Sequence, residues 1–200
     1  MAYDVKLKGV RCSFLTLGEP EYFGGQKQKA TDKRRWSATF LIPANDPQRK
    51  VIDMMMEQVA ADKWEKKAAT ILANIRSDPK ATCFTDGNRK EYEGYKDHWA
   101  LTAHRWEEKG RPLVLDTDKS PIYKPDNELY EGKAGRIYSG CYVNAHVEFW
   151  AQNNENGKGI RCTLLGIQRA KDGDAFSGGT APDPDAFEEI TEGADADDLS

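Results

Sequence analysis

The chain lacks any run of 18 apolar residues, so nothing in it reads as a membrane-spanning helix. Its first residues, MAYDVKLKGVR, alternate and carry charge; without an apolar stretch they do not read as a secretory signal. No repeat of fixed period is present, which excludes solenoids and collagen-like or coiled-coil arrays. Cysteine is scarce. Cys12, Cys83, Cys141 and Cys162 include no C-x-x-C pair, so neither a dense disulfide framework nor a zinc site with paired ligands is expected. Four reduced thiols in a cytoplasmic protein is the expectation. The three histidines, His98, His104 and His146, show no metal-ligand spacing.

Catalytic signatures are missing too. There is no G-x-S-x-G, no phosphate-binding G-x-x-x-x-G-K-[ST], no H-E-x-x-H and no G-x-G-x-x-G. Asp116-x-Asp118 is a lone acidic pair in a loop, where turn chemistry is the ordinary reason for aspartate. No catalytic residue, metal ligand or cofactor is assigned, and the protein is expected not to be an enzyme.

What is there is charge of opposite sign in two segments. The 200 residues hold 33 acidic and 29 basic side chains, a formal net charge of −4. Ten of the acids, and no Lys or Arg, lie between Asp172 and Ser200, so residues 1–171 carry +6 and residues 172–200 carry −10. A basic body with an acidic tail points towards nucleic acid. The tail has few large apolar residues and reads as disordered. The expected division is a binding domain at 1–171 and an acidic tail at 172–200.

Alternation marks the strands. Residues 3–15 form one, with a change of register near Gly9, ended by Leu17-Gly18-Glu19-Pro20; Trp36–Ile42 form a second. Asn45-Asp46-Pro47 starts a helical region that runs to about Arg76. Val51, Met55 and Val59 recur every fourth residue, then Trp64, Leu72 and Ile75 follow after a slip, as in a bent helix or two helices joined near Ala61-Asp62. Residues 83–96 read as a loop. His98–Arg105 form a strand, Pro112–Leu115 a short extended piece, Arg136–Gln152 a long strand, and Gly159–Gln168 its hairpin partner beyond Asn156-Gly157. In the long strand Cys141, Val143, Ala145, Val147 and Phe149 share a core face. The fold class is therefore mainly β with one helical region: a five-stranded OB-fold barrel plus a long helix.

Aromatic and basic residues are interleaved in three places. Loop 26–36 holds Lys27, Lys29, Lys33, Arg34 and Arg35. Residues 95–106 hold Trp99, Arg105 and Trp106. Residues 133–142 hold Lys133, Arg136, Tyr138 and Tyr142. Trp150 lies with Tyr142 on the mixed polar face of the long strand. Single-stranded nucleic acid is held by this mixture, because cations track the phosphates and aromatic faces stack unpaired bases. Trp36 and Phe40 share a face with Ala38 and Ile42 and read as core.

WSATFLIP at 36–43, CFTDGNRK at 83–90, RPLVLD at 111–116, IYSGCYVNAHVEFWAQ at 137–152 and GIRCTLLGIQRAKDGDAFSGG at 159–179 together resemble phage single-stranded DNA-binding proteins with an OB-fold. The resemblance covers most of residues 5–190. It implies non-sequence-specific binding and coating of single-stranded DNA in phage replication or recombination. Two departures stand out: the chain ends Asp197-Asp198-Leu199-Ser200 without a terminal aromatic, and the helix precedes the third strand. Asp183, Asp185, Glu188, Glu189, Asp195, Asp197 and Asp198 are the candidate regulatory residues, and replication or recombination proteins are their candidate partners. Duplex DNA stays open as a second partner, since cation contacts alone do not distinguish strands. The competing readings are a phage structural or interaction protein whose acidic tail mimics DNA, and a metal-dependent nuclease built on Asp116.

Overall fold

The computed structural model describes residues 3–176. Five long strands carry the fold: β1 (Asp4–Tyr22), β2 (Arg34–Pro43), β4 (His98–Trp106), β6 (Tyr142–Asn154) and β7 (Gly157–Lys171). The antiparallel pairs β1–β2, β2–β4, β1–β6 and β6–β7, with a parallel contact of β4 to β7 at His104 and Thr163, close these five into a barrel. Two short strands, β3 (Phe84–Asp86) on β4 and β5 (Leu113–Leu115) on β7, extend the sheet at its edges. The five expected strands are the five barrel strands, and the extended piece at 112–115 is β5.

Closing a small barrel needs strands that bend, and β1 bends at bulges. Its register against β6 jumps between Leu7 and Val10, around Gly9 at φ 59°. Against β2 it jumps between Ser13 and Thr16 and again before Glu21. Leu17–Pro20 does not end the strand as expected. Pro20 falls in the irregular stretch between Thr16 and Glu21, where a missing N–H breaks no regular ladder, and β1 continues to Tyr22. β6 starts at Tyr142 and not at Arg136, because residues 138–141 turn, with the Cys141 N–H donating to the Tyr138 carbonyl at 3.1 Å.

The barrel interior is filled by the face that alternation identified. Phe40, Ile42, Leu101, Val143, Val147, Phe149, Ile160, Cys162 and Leu164 are fully buried. The helical region packs on β1, β2, β6 and β7. It comprises α1 (Pro47–Trp64), capped by Asp46 accepting from the Gln48 N–H at 2.8 Å, and α2 (Ala68–Ser77). The break lies at Glu65, φ 47°, and not at Ala61-Asp62. α1 buries Ile52, Met56, Val59, Ala60 and Trp64, while Val51 and Met54 face solvent. Rows 51/55/59 and 52/56/60 are both apolar, so periodicity could not choose between neighbouring rows. All four cysteines are buried free thiols, with Cys12 and Cys141 in contact at 3.6 Å. No helix among the described residues is long and apolar enough to cross a membrane.

Beyond β7, residues 172–176 lie against the barrel. The Tyr138 hydroxyl lies within hydrogen-bond distance of the Asp172 carboxylate (3.0 Å) and the Gly173 carbonyl (2.9 Å), Arg11 donates to the Asp174 carbonyl at 2.6 Å, and Phe176 stacks 4.2 Å from the Arg11 guanidinium. Asp183, Asp185, Glu188, Glu189, Asp195, Asp197 and Asp198 fall outside the described residues.

Candidate nucleic-acid interface

β2 and β4 are in register, so one outward face of the barrel can be read off in pairs: Arg35 beside Trp106, Ser37 beside His104, Thr39 beside Thr102. Of these, Arg35, Ser37, Thr39 and Thr102 floor a groove of about 530 Å³ walled by Phe14, Phe23 and Ser139, with Trp106 beside Arg35 just beyond it. Two aromatic groups stand at its ends. At one, Phe14 is 55% exposed and meets Tyr92 edge-on at 4.9 Å, with Tyr95 behind. Phe14 has φ 47°, a conformation that non-glycine residues seldom adopt, and it sits in the β1 bulge. At the other, the Arg35 guanidinium lies 4.8 Å from the Phe23 ring and 5.7 Å from Trp106. A second hollow shares Phe23, adds Trp106 and continues the path to Lys29 in the β1–β2 loop.

Cations concentrate on this face. Arg35 is half-buried, and its charge is disfavoured first by burial and then by Arg161. His104 stacks edge-on against Trp106 at 5.0 Å. Burial, then Arg35 and Arg161, push its imidazole down to about 4, so it is neutral at pH 7. Beyond the β4–β7 seam, Arg161 pairs with Trp150 across β6–β7 and donates to Gln152 at 3.0 Å. Like charges clustered beside exposed rings favour an incoming polyanion that can also stack.

The structure divides the candidate residues into three groups. Arg35, Trp106 and Trp150 lie on or beside the groove face, with Lys27 and Lys29 on the adjoining loop. Lys33 and Arg34 stand at its rim, paired with Glu108 (2.6 Å) and Glu107. Trp99 and Arg105 form a second group. They alternate with the groove residues and point the other way: Trp99 packs on Phe84 under Arg49, and Arg105 ties down the carbonyls of Lys109 and Gly110 at 2.8 Å. The third group lies on β6 and the loop before it. Lys133 and Arg136 hold buried Asp116 at 2.8 and 2.7 Å, keeping its carboxyl well below the usual carboxylate range. Tyr138 and Tyr142 hold residues 171–173, with Lys171 Nζ 4.6 Å from the Tyr142 ring.

Asp116 thus has both oxygens committed to cations. The carboxylate on which the nuclease reading was built is held by Lys133 and Arg136. Phe14, Phe23, Tyr92 and Arg161 were not singled out from sequence. Phe23-Gly24-Gly25, an aromatic in a glycine turn, and Arg161, alternating with buried Ile160 and Cys162, were the available signals.

Comparison with known proteins places the chain in a family. Residues 3–199 match the family model of the Enterobacter phage Enc34 ssDNA-binding protein. The chain belongs to that family. A curated relative, putative protein p50 of Acyrthosiphon pisum secondary endosymbiont phage 1, is 38% identical over 189 residues, covering 94% of each chain. The single-stranded DNA-binding protein of bacteriophage Enc34, solved in complex with ssDNA, superposes with a TM-score of 0.67 at 25% identity, over 87% of this chain and 89% of that one. The gp2.5 single-stranded DNA-binding protein of bacteriophage T7 shares the fold, with a TM-score of 0.53 at 13% identity over 98% of this chain and 100% of that one.

Proposed function

We propose that this member of an ssDNA-binding family holds unpaired DNA in the groove between Phe14 and Trp106, and coats it without sequence preference. The observation that carries the reading is the placement of Phe14, Phe23 and Trp106 around Arg35 on the β2–β4 face. Bases stack on rings whichever base they are, and phosphates meet Arg35, Arg161 and the loop lysines. The groove floor offers the hydroxyls of Ser37 and Thr102, which can contact sugar and phosphate. An OB barrel uses this same face and the adjoining loops for oligonucleotides. Trp150 beside Arg161 extends the path beyond the seam. The Enc34 relative, solved with ssDNA bound, supports the class of ligand.

A duplex buries its base faces, so rings on a groove wall favour single strands over duplex. Coating unpaired strands in the cytoplasm of a phage-infected cell, during replication or recombination, is the role this chemistry serves. The acidic residues 183–198 act on the same groove as a tethered polyanion in competition with DNA, and offer a contact for replication proteins. The direct test is fluorescence titration of full-length protein with single- and double-stranded oligonucleotides at two salt concentrations. Tight, salt-sensitive binding of the single strand alone supports the reading. Equal affinity for duplex would mean that the rings are not used.

A further inference from the structure

The outward face that carries the groove does not stop at Thr39 and Thr102. The next pair in the β2–β4 register is Leu41 beside Ala100, and the same row runs on through Arg11 of β1 to Tyr142 of β6. Residues 172–176 lie across this row. Gly173 passes close to the Tyr142 ring, the Asp174 carbonyl accepts from Arg11 at 2.6 Å, and the Phe176 N–H donates to the carbonyl of Ser139, a groove wall residue, at 2.9 Å. The Phe176 ring packs with Leu41, Tyr95 and Ala100, and stacks on the Arg11 guanidinium. The segment thus crosses β6, β1, β2 and β4 just beyond the groove.

The fit is close. Gly94, at φ 79°, leaves room for the Phe176 ring, which any Cβ there would strike. A Cβ at Gly140 would strike the Asp174 carbonyl in the same way. Larger residues at either position would push the segment off the sheet. Arg11 Nε donates to the Gly140 carbonyl at 3.1 Å, so this guanidinium is committed to the segment and its neighbouring turn.

What the segment supports is the aromatic end of the groove. Tyr95 is buried beside Phe176, and its hydroxyl faces the side chains of Ser13 and Thr39. Its ring meets Tyr92 at 5.2 Å and Phe14 at 6.2 Å, both edge-on. Tyr95 is therefore the inner ring on which the two exposed rings lean. Without Phe176, one side of the Tyr95 ring would lose its packing, and the conformations open to Tyr92 and Phe14 would multiply. Ordering them again would then fall on the DNA at the moment of binding.

We propose that residues 172–176 form the end wall of the DNA groove, and that Phe176 is a positioning residue, holding Tyr95 and through it the Tyr92 and Phe14 rings where a base can stack on them. This rests on the reading that the groove holds single-stranded DNA. The binding domain then ends at Phe176 and not at Lys171: the chain up to Phe176 favours DNA, and the acidic residues after it oppose DNA.

The test is a double-mutant cycle in the full-length protein, read by titration with an oligothymidylate. Phe176→Ala should weaken binding several-fold. The loss should largely vanish when Phe14 and Tyr92 are already alanine, and persist when Trp106, at the far end of the path, is alanine instead. Equal losses in both backgrounds would make Phe176 a DNA contact or a general support of the fold. Tighter binding would make it a competitor for the place of a base, and unchanged binding would leave the wall without a role. Each of these overturns the proposal. Phe176→Leu, which keeps an apolar contact with Leu41, serves if the alanine variant does not fold. It should show a smaller loss with the same dependence on background, and an equal loss in both backgrounds, or none, overturns the proposal too. Failure of the wild-type protein to bind, or wild-type affinity in the Phe14→Ala, Tyr92→Ala protein, would refute the groove reading instead, and both are measured before Phe176 is changed.

Discussion

Phe14 and Tyr92 meet edge to face at 4.9 Å across the end of the groove, both about half exposed, one from a bulge in β1 and the other from the β3–β4 connection. The contact holds two rings at the surface without burying either. Rings placed this way are available to a base. Phe14→Ala should therefore weaken single-stranded DNA binding by about 1–3 kcal/mol. The thermal midpoint should stay nearly unchanged, because no core volume is lost. Fluorescence titration and a melting curve on the same variant check both halves.

Trp106→Ala and Trp99→Ala should separate. Trp106 stands beside Arg35 on the groove, and its loss should cost affinity in the same ~1–3 kcal/mol range. Trp99 packs on Phe84 and the core, so its loss should lower the melting midpoint and leave affinity per folded molecule unchanged. Oligonucleotide titration with calorimetry on each variant reads the split.

Arg136→Gln should act on stability. It leaves a buried carboxylate with Lys133 as its remaining cation, so the melting midpoint should fall. DNA affinity should be unaffected. A fall in affinity without a fall in stability would return Arg136 to the interface.

The strands were legible because alternation and turn signals are local. All five barrel strands, the helical region and the Asn156-Gly157 hairpin can be read from a dozen residues at a time. The parity that puts Trp99 and Trp106 on opposite faces, seven residues apart in one strand, was also present in the sequence. What was not legible depends on distance in the chain. Lys133 and Arg136 look like phosphate ligands until Asp116, seventeen and twenty residues earlier, is found between them. Phe14 reads as an ordinary strand residue, since its left-handed conformation comes from the bulge and not from its own type.

Acid should destabilise the protein from near neutrality, through His104. Its folded value of about 4 lies below the ordinary 6.5, so the unfolded chain binds the proton more tightly. Stability is full above pH 6.5 and falls as pH drops towards 4, by up to about 3 kcal/mol. Asp116, also depressed, adds a loss in the same direction but only below the ordinary carboxylate range. Chemical denaturation between pH 7 and 4 should show the upper slope in the wild type, and His104→Gln should flatten it.

A stop after Phe176 keeps the residues that dock on Arg11 and Tyr138, and removes eight acidic residues and no basic ones. The formal charge moves from −4 to +4. Single-stranded DNA binding should tighten, most at low salt, where screening is weak. Equal affinities for the two proteins at low salt, with the fold intact, would leave these acids a solubilising role only.

The central claim is that the strand lies between Phe14 and Trp106, and photocrosslinking tests it most directly. Oligonucleotides carrying 5-iodouracil, irradiated on the full-length protein and mapped by peptide mass, should form adducts at Phe14, Phe23 or Trp106, with Trp150 as the next site along the path. Adducts at Tyr138, Tyr142 or Trp99 in their place would put the strand on another face and contradict the account.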